Sequence, residues 1–151
     1  MLITVIKHSA FLGSKVDFVV KDNFYVRSQP INIHYVGENI RDFFWGKVIG
    51  PMSAYHIFAY KLGKNTSTSD LINHFGGGDG SSLVVAWNLL LDQPYGQGGY
   101  LDTEGRTNIF LGLDYSIGVF WYKNGWSIRA YPANAKRERI WYAENQVIIL
   151  K

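Results

Sequence analysis

An all-β fold, an antiparallel β-sandwich with at most one or two short helices, is what this sequence predicts. Three observations predict it. Apolar and polar residues alternate with period two over most of the chain, as in "INIHYV", where Ile31, Ile33 and Tyr35 face one way and Asn32 and His34 the other. Glycine and asparagine punctuate these runs at short intervals, as hairpin turns require. One segment, "STSDLINHFGGG", carries helix signals: Ser67 or Ser69 as N-cap, Asp70 in the first turn and Gly76 as stop.

Taken in order, strands are expected near residues 2–7, 16–20, 24–27, 31–36, 43–49, 54–61, 82–91, 107–112, 117–123, 126–131, 138–143 and 146–150, each rich in β-branched or aromatic residues. Two hairpins are legible. In "IGVFWYKNGWSIRAY" a type I′ turn at Asn124-Gly125 sets Lys123 opposite Trp126 and Trp121 opposite Ile128. That register gives one face Ile117, Val119, Trp121, Ile128 and Ala130, a core set. The other receives Phe120, Tyr122, Arg129 and Tyr131, which is aromatic for a solvated face. In "RIWYAENQVIIL" a turn near Glu144-Asn145 joins the last two strands.

The 151 residues suit one domain spanning 1–151 with a single core, and no repeat or linker interrupts them. Apolar residues at 47% and charged residues at 18% exclude a disordered polymer, and no apolar run reaches the ~20 residues of a membrane-spanning helix. "MLITVIKHSAF" places its lysine after its apolar run, the reverse of a secretory signal, and reads as the first strand. The compartment stays open between the cytoplasm and non-classical secretion. Without cysteine there is neither a disulfide nor a thiolate metal site. The net charge of +3 is concentrated in residues 120–151, where six Lys or Arg meet two Glu. That tilts one end toward anionic partners.

Aromatic residues make up 16% of the chain, ten of them tyrosine and five tryptophan. Rings on this scale fill a β core or form a platform for sugar rings and choline headgroups. The catalytic motifs are incomplete. "HFGGG" at 74–78 resembles a lipase oxyanion loop, yet no G-x-S-x-G elbow accompanies it. His8, His34, His56 and His74 share no ligand spacing, so any zinc site must be assembled by the fold. "DQPYGQGGYLDTE" lacks the alternating oxygen ligands of a calcium loop, "GGGDGSS" lacks a phosphate-loop lysine, and "KRER" at 136–139 reads as a solvated turn rather than a nucleic-acid contact. No cofactor or metal is expected.

What remains is the loop after Asp92. Glycines at 96, 98 and 99 free its backbone, and Tyr95 and Tyr100 gain the reach to fold over a ligand. "AYHIFAYK", then "DGSSLVVAWNLLLDQPYG", then "NGW" at 124–126 follow an order that resembles the actinoporin-like cytolysins, whose fold is shared with the fungal fruit-body lectins. The resemblance covers residues 50–126. It implies a phosphocholine or glycan site lined by aromatics, with Asp92, Tyr95 and Tyr100 in the matching loop and Trp126 in the matching "NGW". The tandem tryptophans of that family are replaced here by "GQGGY", so binding is expected without pore formation. The expected function is a non-enzymatic module that recognises a lipid headgroup or glycan through Asp92, Tyr95, Tyr100 and Trp126, aided by Tyr122, Arg129 and Tyr131. The first alternative is an interaction subunit, possible as a homo-oligomer, that uses the aromatic hairpin face as its interface. A hydrolase assembled from separate loops is the second.

Overall fold

The computed structural model describes residues 3–78, 81–133 and 136–151. The expected strand start at Leu2, and Asp79 and Gly80 of "GGGDGSS", lie outside these residues. In chain order the strands are β1 (Ile3–Phe11), β2 (Phe18–Val19), β3 (Ile33–Val36), β4 (Val48–Ile49), β5 (Tyr55–Leu62), β6 (Thr66–Ser67), β7 (Asn108–Phe110), β8 (Tyr115–Tyr122), β9 (Gly125–Pro132), β10 (Ile140–Trp141) and β11 (Gln146–Leu150). The helices are α1 (Glu38–Phe43), α2 (Thr68–Phe75) and α3 (Ser82–Asp92). The chain is thus mostly β with few, short helices, the sandwich-like class that the alternation predicts.

One seven-stranded sheet, of order β1-β5-β11-β7-β8-β9-β3, carries the structure, and the ribbons β2/β4 and β6/β10 lie apart from it. Pairing is antiparallel except at β11/β7 and β9/β3, which are parallel. Ile57, Phe110, Val119, Ile128 and Ile148 on one face join α3 and the segment around Phe24 and Ile40 in the larger core. On the opposite face Leu62, Ile109 and Val147 meet Leu71 of α2 and Trp141 of β10 in a smaller one.

Helix α2 forms where its signals place it. The Ser67 hydroxyl accepts the Asp70 N-H at 3.1 Å, and Gly76 ends the helix at φ 82°. The Glu138 carboxylate adds a second cap by accepting the Ser69 N-H at 2.9 Å, and hydrogen bonding to the Ser69 side chain, then to its N-H, holds the Glu138 pKa below the usual value.

Residues 82–91, expected as a strand, form α3 instead. A continuous apolar run does not distinguish a buried strand from a helix buried on every side. Here the helix lies between the sheet and residues 18–24: Trp87 packs against Phe24 at 5.1 Å and Phe18 at 6.1 Å. Every residue from Leu83 to Leu90 except Asn88 is buried.

The β8/β9 hairpin keeps its predicted faces but shifts its turn. Lys123 (φ 48°) and Asn124 (φ 64°) are the two left-handed turn residues, so Trp121 lies opposite Trp126 and Ile128 opposite Val119. Gly125 is the first residue of β9. A Cβ there would overlap His34, so its glycine serves the approach of β3 rather than the turn. The second expected hairpin does not form. A turn does occur, with Asn145 N-H bonded to Tyr142 O at 3.2 Å, but β10 pairs with β6 while β11 enters the large sheet between β5 and β7.

Candidate functional site: a cationic aromatic sheet face

The glycine-rich loop after α3 is fastened from within. The buried Gln93 side chain donates to the carbonyls of Gln97 (2.7 Å) and Leu101 (3.1 Å) and accepts the Leu101 N-H (2.7 Å). A side chain at Gly99 would strike Gln93, and one at Gly96 (φ 68°) would strike the Trp121 indole. These two glycines therefore allow close packing, not reach.

Tyr100 is half-buried against the larger core, with its hydroxyl 3.5 Å from the Lys7 carbonyl. Burial, the largest cause, pushes this hydroxyl up to about 12. Its own carbonyl accepts from Lys7 Nζ (2.8 Å) and Gln146 Nε2 (2.9 Å). Trp126 is fully buried, and its Nε1-H donates to the Gln93 carbonyl at 2.7 Å. Two of the four ligands that the resemblance implies are thus scaffold: Trp126 has no surface to offer, and Tyr100 is turned toward β1. Asp92, at the end of α3, and Tyr95, 62% exposed, remain at the surface.

The outer face of β8, β9 and β3 is different. The Arg129 guanidinium lies 4.9 Å from the Tyr35 ring and 5.6 Å from the Phe120 ring. Tyr122, 53% exposed, continues the face with Lys123 Nζ 5.2 Å from its ring. At the other end the Arg139 guanidinium lies 4.7 Å from Tyr131, which stands edge-on to the buried Trp141 at 5.0 Å. A groove of about 430 Å³, lined by Tyr131, Arg137, Glu138, Arg139, Ile140 and Tyr142 among others, opens beside this pair. Tyr122, Arg129 and Tyr131 are therefore brought together on one face, apart from Asp92 and Tyr95.

Sequence reasoning missed three members of this face. Tyr35 is expected on the same face as Ile33. An irregularity in the β3/β9 register between Ile33 and Tyr35 turns Val36 inward in its place and leaves Tyr35 41% exposed. Arg139 belongs to "KRER", read as a solvated turn, and only the packing of β10 carries it to Tyr131. Phe120 is expected on this face, but only as part of the alternative protein interface and not among the ligand contacts.

Electrostatically the face is unneutralised. Among the described residues the ion pairs join Lys61 to Glu144 and Arg106 to Asp102 and Glu104, and neither Arg129 nor Arg139 has a carboxylate partner. A stacked guanidinium keeps its in-plane N-H donors free for a bidentate anion.

Elsewhere, a cavity of about 270 Å³ lies beside Gly76, Gly77, Gly78 and Ser82, and His74 of the "HFGGG" motif does not line it. A larger one of about 630 Å³ mixes Asp42, Asp114 and Lys47 around Phe43 and Tyr115. Among the described residues no group of three or more His, Cys, Asp or Glu is placed to hold a metal ion, and no helix is long and apolar enough to cross a membrane.

The fold and this face together define a mostly-β domain with an open cationic aromatic surface. Against known proteins, no family model, no curated protein and no solved structure matches the chain.

Proposed function

We propose that this protein is a non-enzymatic, lectin-like binding module, and that its ligand is an acidic glycan held on the outer face of β3, β8 and β9. The observation that carries the reading is Arg129, stacked between Tyr35 and Phe120 with no carboxylate partner among the described residues. Its N-H edge suits a uronate carboxylate or a sulfate, while Tyr122 and the exposed flank of Tyr35 offer ring surface for a pyranose. A choline headgroup fits poorly, because a second cation would be repelled from rings that already hold a guanidinium.

The test is calorimetric titration with sulfated and uronate-containing oligosaccharides, with a neutral oligosaccharide and vesicles of phosphatidylserine or phosphatidylcholine alongside. Saturable binding of the acidic oligosaccharides is expected, falling by roughly tenfold or more in Arg129→Ala, since a charge-assisted hydrogen bond contributes about 1.5–3 kcal/mol. Binding confined to phosphatidylserine vesicles would move the anion from a glycan to a lipid. A tight oligomer that buries Tyr35 and Arg129 would overturn the reading in favour of an interaction subunit.

A further inference from the structure

The opposite edge of the sheet carries a second constellation, independent of the anionic-ligand face. In the β1/β5 register His8 lies opposite Phe58 and Ala10 opposite His56, which places the two histidines diagonally on one sheet face. Both are exposed, and His8 Nε2 lies 3.1 Å from His56 Nδ1. The rings are nearly parallel, 19° apart, and His8 also stacks on Phe58 at 4.6 Å. Four histidines scattered through the sequence thus yield one adjacent pair, 48 residues apart in the chain.

We propose that His8 and His56 chelate a divalent transition-metal ion of the zinc class through these two nitrogens. Metal–imidazole bonds of about 2.0–2.1 Å place two ligand nitrogens about 2.9 Å apart at a right angle and about 3.3 Å apart at a tetrahedral one. The observed separation falls between these limits, and the stack on Phe58 restrains the His8 ring within reach. In the metal-free pair one nitrogen donates its hydrogen to the other. On chelation the donor ring moves that proton to its second nitrogen, so both facing lone pairs reach the ion and no net proton is lost. A modest rotation of the exposed rings lets those lone pairs converge, and water fills the remaining positions. Imidazole ligands without a carboxylate favour zinc, nickel or copper over magnesium or calcium. Lys151 is the cation beside the pair: it lies 5.1 Å from the Phe58 ring and 3.5 Å from the Tyr60 hydroxyl. It limits affinity but leaves the nitrogens accessible.

The experiment titrates zinc chloride into the whole chain in a non-chelating buffer. One saturable zinc per molecule is expected, with no heat from magnesium chloride. His8→Gln and His56→Gln should each weaken zinc by roughly tenfold or more, at least the loss seen when a supporting residue of a metal site is removed. His34→Gln and His74→Gln should leave it unchanged. Imidazole nitrogen resonances of the unmodified protein give a second measurement, and zinc should move those of His8 and His56 first. No saturable zinc binding, or binding that survives both His8→Gln and His56→Gln in variants with unaltered circular dichroism, would overturn the site.

Discussion

The loop from Gln93 to Arg106 and the outer face of β8, β9 and β3 are built from similar residues, tyrosines beside glycine and a few charges. In the loop Tyr100 turns inward while Tyr95 stays exposed, and two tryptophans of the β8/β9 hairpin pack beneath it. Trp126 bonds the Gln93 carbonyl, Trp121 covers Gly96, and Tyr100 rests on the core beside Lys7. On the sheet face the rings stay outward because no helix among the described residues covers that part of the sheet, and guanidinium groups occupy them instead. An aromatic ring becomes scaffold or surface according to what lies above it, not according to how flexible its backbone is.

The largest expected effect tests the inward half of this contrast. Trp126→Ala removes a fully buried indole and leaves the Gln93 carbonyl only the Gly96 N-H, so chemical denaturation should show a loss of about 3–5 kcal/mol. Next, Tyr100→Ala should lose about 2 kcal/mol while Tyr95→Ala loses less than about 0.5 kcal/mol in the same measurement. Equal losses for the two tyrosines would show that the loop does not separate them as described.

A third prediction concerns alkaline stability. The folded pKa of Tyr100 is raised to about 12 from the ordinary 10.0, so the folded state favours the protonated phenol. Its contribution is fully present below pH 10 and is lost as the pH rises through 12. Tyr100→Phe should therefore flatten the fall in melting temperature over that window, and a spectrophotometric titration should lose one late-ionising phenol. The smallest effect belongs to the outer face: Arg129→Ala and Tyr122→Ala should change stability by less than about 0.5 kcal/mol, because both side chains are largely solvated. A larger loss from Arg129→Ala would mean that the Tyr35–Arg129–Phe120 stack is a structural clamp.

Much of this architecture was legible locally. The caps of α2 could be read because Ser67, Asp70 and Gly76 act within one turn of the helix. The two faces of β8/β9 could be read because a period of two survives a shift of the turn: moving the left-handed pair to Lys123-Asn124 changes the partners but not which side each residue faces. The candidate site was half legible. Tyr122, Arg129 and Tyr131 lay on the right face, whereas the glycine loop was misleading, since glycines that admit a close neighbour and glycines that confer freedom are the same letter.

The alternation, the turn residues and the helix caps are properties of neighbours in the chain, and they settled the class of the fold, the faces of β8 and β9, and α2. Four features required elements far apart in sequence to meet. Segment 82–92 became a helix because the sheet and the Phe18–Phe24 segment bury it on every side. Tyr35 turned outward because the parallel register with β9 is irregular beside it. Arg139 reached Tyr131 through the β6/β10 ribbon, and His8 reached His56 through the antiparallel register of β1 with β5. In each case the deciding quantity was which surface covers which, and that is set by packing free energy summed over distant contacts.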